Sequence, residues 1–339
     1  MGLTPSLTKL DPTAGPLPDD VALPFRAEAS GVMGRLVRMG AAADEILTRH
    51  NYPEAVTKTL GAALALASML GAALKTDSKI ILQTKTDGPL NLLVVSCESL
   101  GRLRGYANFN AASIAGLEVE GPVIEAKLLG EGHLALTIDP GGDQDRHQGI
   151  VELKGQSLEE AALTYFRQSI QLPTFIRLAV GKHFSADGLQ GRAWRWRVGG
   201  LMVQHLSPEG GANPPEHDRL KGDGTGWEDD DDWERTRILA ATVEDHELLD
   251  PTLPPERLLF RLFHEEGIRA YNATPLVAQC NCSHERLAGI LSQFRADEIS
   301  GMVETDGIIR AKCEFCSTPY RFTAEELQIK PTSRPQGGD

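Results

Sequence analysis

The chain predicts an α+β protein: a β-rich N-terminal core with buried helices, a helical linker, and a small C-terminal α/β domain. Three observations carry that class. Short β-prone runs separated by turn signals fill residues 32–204, with a few helices between them and no regular strand–helix alternation. A Gly/Pro-rich stretch, Ser207 to Gly226, then offers almost nothing to bury. Beyond it lie helical patterns and, near the end, four cysteines in two close pairs.

The bulk numbers bound the function classes. A length of 339 residues allows about two domains and a sizeable core. With 47 acidic against 34 basic residues the net charge is −13, which argues against general nucleic-acid binding. Five cysteines do not make a secreted disulfide framework. Residues 1–24, rich in Pro, Gly, Thr and Asp near the start, read as a disordered leader, not a secretory signal. The longest apolar stretch, Leu60 to Leu74, is too short to span a bilayer. The expectation is a cytoplasmic protein.

The core, placed at residues 25–206, opens with a strand from Val32 to Arg38 and a helix from Ala41 to Arg49. His50-Asn51-Tyr52-Pro53 breaks that helix, because a residue before proline avoids the helical region. A long helix then runs from about Pro53 to Lys75, apolar on every side, as expected of a helix buried all round. Strands follow at Lys79–Thr84, Asn91–Ser96 and Arg102–Ala107, with Asp87-Gly88-Pro89 as a turn. Further strands are expected at His133–Ile138 and Gly149–Leu153. Ser157 and Glu160 form a capping box for a helix carrying Leu163, Tyr165, Phe166 and Ile170. Two more strands, Phe175–Val180 and Trp194–Gln204, complete the core.

The linker, residues 207–270, passes through the acidic run Glu228 to Asp232, which reads as a solvated face or the N-terminal turn of a helix. An amphipathic helix is expected over Trp233–Leu249. A second follows the prolines at 254 and 255, with Leu258, Leu259, Leu262 and Phe263 as its apolar stripe.

In the last domain, residues 271–330, Ser283 caps a helix through Phe294 and another helix covers Ala296 to Val303. Asp306-Gly307 turns into a strand before Cys313, Tyr320-Arg321-Phe322 returns, and Thr323 with Glu326 caps a last short helix. Residues 331–339 are tail. The cysteines read Cys280-Asn281-Cys282 and Cys313-Glu314-Phe315-Cys316, with 30 residues between the pairs. Two such pairs suit a closed tetrahedral site in which four thiolates hold a metal at about 2.3 Å. Soft ligands with no carboxylate or imidazole cluster beside them favour zinc. Such a site is either a permanent staple or a switch, because the thiolate is also the oxidisable form of cysteine. His284 is left out, since four thiolates already fill a tetrahedron. Cys97 ends a core strand and reads as a small buried hydrophobe.

Two competing classes have less behind them. A zinc-ribbon nucleic-acid or transcription-associated module would use the Cys₄ site with Arg286, Arg310 and Lys312, but a doubly negative centre needs cations for its own balance. An enzyme would need a nucleophile elbow, P-loop or dinucleotide fingerprint, and none appears. No catalytic residue is expected.

Together these residues resemble the heat shock protein 33 family. The similarity rests first on Cys280-x-Cys282 with Cys313-x-x-Cys316. It is supported by His50-Asn51-Tyr52-Pro53 and the Leu-rich helix after it, by Asp87-Gly88-Pro89-Leu90-Asn91, by Arg104-Gly105-Tyr106-Ala107 and by Leu262-Phe263-His264-Glu265-Glu266. It spans roughly residues 35–329. The leader is extra, and the 207–232 stretch is longer and more acidic than is usual in that family. The resemblance implies a redox-regulated, ATP-independent holdase of the stress response. Such a protein has a core, a linker laid over it and a one-zinc domain, binds unfolding proteins under oxidative stress and dimerises when active. Oxidation would pair Cys280 with Cys282 and Cys313 with Cys316, release zinc and loosen the linker. Leu258, Leu259, Leu262 and Phe263 would then become available to clients.

Overall fold

The structure, a computed structural model, describes residues 8–9, 19–75, 77–142, 144–185, 193–205, 231–323 and 325–327. The whole of the expected linker stretch 207–226, residues 228–230 of the acidic run, and the tail 331–339 lie outside them. The chain divides into two compact units, Met1–Ala278 and Gln279–Asp339.

The first unit is built on α2 (Glu54–Gly71). This helix packs against strands of two different sheets, which is why its sequence has no polar face. Gly61 admits Val180 and Val198: a Cβ there would lie 2.7 Å from Val180 Cγ1. One sheet comprises β1 (Thr8–Lys9), β11 (Ile268–Ala270), β2 (Val21–Ala27), β3 (Met33–Met39), β10 (Ala193–Gln204) and β9 (Thr174–Ser185) in that order, with β12 (Thr274–Pro275) also on β2. The other runs β13 (Val277–Ala278), β6 (Arg102–Asn108), β5 (Leu92–Glu98), β4 (Lys79–Thr86), β7 (Glu131–Asp139), β8 (His147–Lys154). The helix α1 (Ala41–Thr48) packs against α2 and β10. The Ser157–Glu160 capping box is present and opens α5 (Leu158–Tyr165), which continues as a π turn through Ile170.

Side chains alternate along β10. Val198, Gly200 and Met202 face α2, while Leu201 and Val203 face a second apolar cluster. That cluster is completed by α6 (Asp231–Ala241), α7 (Asp245–Leu249) and α8 (Pro255–Phe263). Leu258, Leu259, Leu262 and Phe263 are all buried there, against Leu23, Phe25 and Leu36 among others. The rings of Phe25 and Phe263 lie 5.6 Å apart. The helical segment is therefore held by the core sheet itself. A stripe of four large apolar residues needs an apolar partner, and the outer face of β2, β3, β10 and β9 provides one.

Other boundaries shift for stated reasons. The core does not begin at residue 25. Val21, Ala22 and Leu23, expected in the leader, are buried in β2. Pro24 hid this strand, because proline cannot donate to a ladder. Its missing amide faces the break between β11 and β12, which pair with residues 25–27 and 21–22 of β2. The helix expected over Trp233–Leu249 is two, because Glu244 starts α7 with its own reciprocal cap to Glu247. Residues 110–129, unassigned from sequence, form α3 (Ala111–Glu120) and α4 (Glu125–Leu129). Only Ile114 of α3 is buried, so no apolar stripe marks it. The second unit starts at Gln279 and not at 271, because residues 268–278 return to both sheets of the first unit as β11, β12 and β13.

In the second unit Ser283 caps α9 (His284–Leu291), accepting from the Arg286 amide at 3.2 Å. The chain tightens into single turns at Gln293 and Phe294 instead of continuing the helix. Then come α10 (Ala296–Met302) and the hairpin β14 (Ile308–Lys312) and β15 (Pro319–Thr323). Gly307, at φ 78°, makes the expected turn. Ile299, Ile309, Phe322 and Leu327 form a core of only four buried side chains among the described residues. Thr323 and Glu326 exchange both capping bonds, ahead of a turn at 325–327. Among the described residues no helix is long and apolar enough to cross a membrane.

Candidate metal centre

Cys280 and Cys282 lie just ahead of α9, and Cys313 and Cys316 in the loop joining β14 to β15. That loop is a tight knuckle. The Cys313 amide donates to Thr318 O at 3.0 Å, the Ser317 amide to Cys313 O at 2.8 Å, and Ser317 takes a left-handed φ of 60°. The fold brings all four sulfurs within 4.8 Å of one another. Across the motifs, Cys280 Sγ is 3.7 Å from Cys313 Sγ, and Cys282 Sγ is 3.3 Å from Cys316 Sγ. Four sulfurs at 2.3 Å from one centre stand about 3.8 Å apart, so the donor set fits a tetrahedral cation. The four cysteines can hold a metal ion.

The surroundings complete the arrangement. Tyr320 Oη donates to Cys282 Sγ at 3.1 Å, and Thr318 Oγ1 lies 3.1 Å from Cys316 Sγ. Burial pushes the Cys313 thiol up to about 12. Burial also acts to raise the Cys316 thiol, but hydrogen bonds from the Thr318 side chain and backbone, and from Cys282 and Cys313, outweigh it and hold Cys316 at about 6. Four clustered thiols cannot all ionise in each other's field; a central cation removes that obstacle. Spacing alone gave no sign of Tyr320 or Thr318.

The remaining candidates fall where their chemistry puts them. His284 turns its ring onto Phe322, with centroids 4.4 Å apart, and its Nε2 is 3.1 Å from Arg321 O. Cys97 is 1% exposed in β5, its thiol pushed up to about 12 by burial. Arg310, a candidate for phosphate contact, is engaged by Glu304 and Asp306. Leu258, Leu259, Leu262 and Phe263 share one buried cluster in the first unit, away from solvent.

The fold and site define a class: a β-rich unit overlaid by short helices, followed by a small unit whose four clustered thiols can hold a metal ion. Residues 20–323 match the family model described as Hsp33 protein. The 33 kDa chaperonin of Caulobacter vibrioides is 41% identical over 318 residues, covering 93% of this chain and 98% of the relative. That of Azotobacter vinelandii is 37% identical, covering 89% and 91%. The crystal structure of the Thermotoga maritima 33 kDa chaperonin superposes with a TM-score of 0.67 at 21% identity, over 91% and 97% of the two chains, which shows the shared fold. The chain belongs to the Hsp33 family.

Proposed function

We propose that the protein is a redox-regulated, ATP-independent holdase that binds unfolding proteins under oxidative stress. The observation that carries this reading is the convergence of four thiols in a unit whose core, among the described residues, is four side chains. Relatives named chaperonins, across almost their full length, support the chaperone part.

Cys280, Cys282, Cys313 and Cys316 would hold one zinc ion in the reduced protein. Bound zinc contributes folding free energy, on the order of 10–16 kcal/mol in small thiolate domains. Oxidation by a peroxide removes two electrons from each thiolate pair, and solvent supplies the two protons that the reduced peroxide takes up. Cys280–Cys282 and Cys313–Cys316 disulfides form, and each peroxide leaves as two waters. A thiolate consumed in a disulfide no longer carries the charge that holds the cation, so metal retention and oxidation exclude each other. The second unit then lacks enough apolar burial to stay folded.

The effect reaches the helical segment along the chain. Cys280 follows β13 by two residues, and β13, β12 and β11 are two or three residues long. Such short strands fray readily once their continuation is loose. Their loss, with mild heat, frees α8 and then α7 and α6. The Leu258–Phe263 stripe and the sheet face beneath it become exposed apolar surface, the kind that binds other proteins. The active form is a homodimer, resting on the family resemblance. No ATP, nucleic acid or membrane is involved in this reading, and the site is cytoplasmic.

The decisive experiment measures zinc content and suppression of aggregation on one sample, before and after peroxide at mildly raised temperature. Zinc loss and holdase activity should rise together. Full activity in the zinc-loaded, reduced protein would overturn the redox reading.

A further inference from the structure

The face of β9 and β10 under α7 is stripped of side chains. A Cβ on Gly199 would lie 2.6 Å from Leu248 O and 2.8 Å from Leu248 Cβ, and one on Gly181 would lie 2.9 Å from Leu249 Cδ1. Ala179 sits opposite Gly199 in the ladder. The result is a shallow seat that takes Leu248, fully buried, and Leu249 beside it.

Two buried arginines close the seat. Arg197 Nε donates to Leu249 O at 2.6 Å. Arg38 donates through Nη1 to Leu253 O and through Nη2 to Asp250 O. Asp19 binds Arg197 at 2.5 and 2.8 Å and stands 3.8 Å from Arg38. The lack of a side chain at Gly40 leaves room for this pair, since a Cβ there would fall 2.6 Å from Arg197 Nη1 and 2.7 Å from Asp19 Oδ2. Arg38 is 1% and Arg197 7% exposed. The arginines therefore grip main-chain carbonyls at and just beyond the end of a helix. Leu249 O and Asp250 O stand at the end of α7, where carbonyls have no donors within the helix and carry its partial negative charge, and Leu253 O belongs to the loop that follows.

Such a seat reads backbone and a pair of leucine-sized side chains, and nothing else about a sequence. When α7 withdraws, Arg197 keeps Asp19, but its Nε and both Nη groups of Arg38 lose their main-chain acceptors, and an incoming backbone can replace them. We propose that the Gly181–Gly199 seat with Arg38 and Arg197 is a client site. It takes the C-terminal end of a short amphipathic helix from an unfolding protein in the place α7 occupies. This rests on the holdase reading and adds what kind of segment the core selects.

The test uses two full-length variants. Leu248→Asp with Leu249→Asp empties the seat; adding Gly199→Val to them leaves the same detached segment but fills it. Amide exchange over 245–253 verifies detachment in both, and unchanged protection of 54–71 verifies the core. The probe is a labelled, acetylated synthetic peptide of residues 242–254. It should bind the double variant and bind the triple variant at least ten-fold more weakly. Arg197→Gln in place of Gly199→Val should give the same loss, and serves if the valine disturbs the strand. Equal binding to seat-open and seat-blocked proteins, or none to either, overturns the proposal. A double variant that binds the peptide but fails to hold a chemically unfolded protein sinks the holdase reading and leaves the seat standing.

Discussion

Arg235, in the first turns of α6, grips Glu266, just beyond α8, with Nε to Oε1 at 2.7 Å and Nη2 to Oε2 at 3.3 Å. Glu266 is 3% exposed, and its backbone carbonyl also accepts from the Ala29 amide at 2.9 Å. One ion pair thus ties both ends of the helical segment to each other and, through Ala29, to the turn after β2.

The Arg235 hydrogen bonds hold the Glu266 carboxyl below its usual range. A depressed carboxylate stabilises the fold above its unfolded pKa of about 4.3 and loses that contribution as pH falls through the folded value. Exchange across residues 231–241, expressed relative to its intrinsic rate at each pH, should therefore lose protection on acidification. Arg235→Ala should speed it roughly ten-fold at pH 7 and flatten the acid dependence. An unchanged exchange rate in that variant would show that the pair does not anchor α6.

Removing one sulfur should break the metal centre. Cys313→Ser should lower zinc affinity by orders of magnitude, since three thiolates and a hydroxyl are a poor soft-metal set. Metal analysis after dialysis against a chelator reads this directly. Tight stoichiometric zinc in the variant would sink the four-cysteine assignment.

The disulfide pattern reports when oxidation happens. In the folded cluster Cys282 lies 3.3 Å from Cys316 and Cys280 3.7 Å from Cys313, so cross-motif pairs are within reach along with the pairs inside each motif. In a loosened chain the nearest thiols are sequence neighbours, because short loops close at least entropic cost. Peptide mapping after peroxide should find Cys280–Cys282 and Cys313–Cys316, with the small Cys-x-Cys ring the more easily reduced. A dominant Cys282–Cys316 link would refute this pairing and point to oxidation within the folded cluster, where those two sulfurs are 3.3 Å apart.

Glu125, at the start of α4, should make the core more stable in mild acid. Burial pushes its carboxyl up to about 7, against opposing bonds from the Leu158 amide and the Thr59 side chain, and with Glu159 and Glu160 adding repulsion. A raised carboxyl favours folding below its unfolded pKa and loses that advantage as pH rises through 7. The loss is about 3 kcal/mol. Glu125→Gln should raise the unfolding midpoint at pH 8 and have almost no effect at pH 4. Equal effects at both pH values would falsify the titration.

Charge on the linker stripe should uncouple the segment from its cover. Leu258 and Leu262 are 0% and 2% exposed. Leu258→Glu with Leu262→Glu places two carboxylates in an apolar cluster, a penalty of several kcal/mol. In reduced, zinc-loaded protein this variant should suppress aggregation without oxidant. If it detaches by amide exchange yet stays inactive, exposure of the covered face is not sufficient for activity.

What the sequence determined by itself is local chemistry. Cys280, Cys282, Cys313 and Cys316 announced a soft-metal site through ligand type and spacing. Ser157 with Glu160 and Ser283 announced helix starts, because a cap needs partners only three residues away. The all-apolar face of α2 announced burial on every side. The tertiary structure decided what long sequence separation hides. Nothing local says that Arg38 and Arg197 meet the carbonyls of 249–253, that Gly199 is empty to admit Leu248, or that Glu266 answers Arg235. Nor could Pro24 look like part of a strand before the break between β11 and β12 was seen opposite it. The stripe of Leu258 to Phe263 was legible as apolar, but not which surface would cover it. Hydrophobic burial specifies that a face be hidden, and only the assembled sheet specifies where.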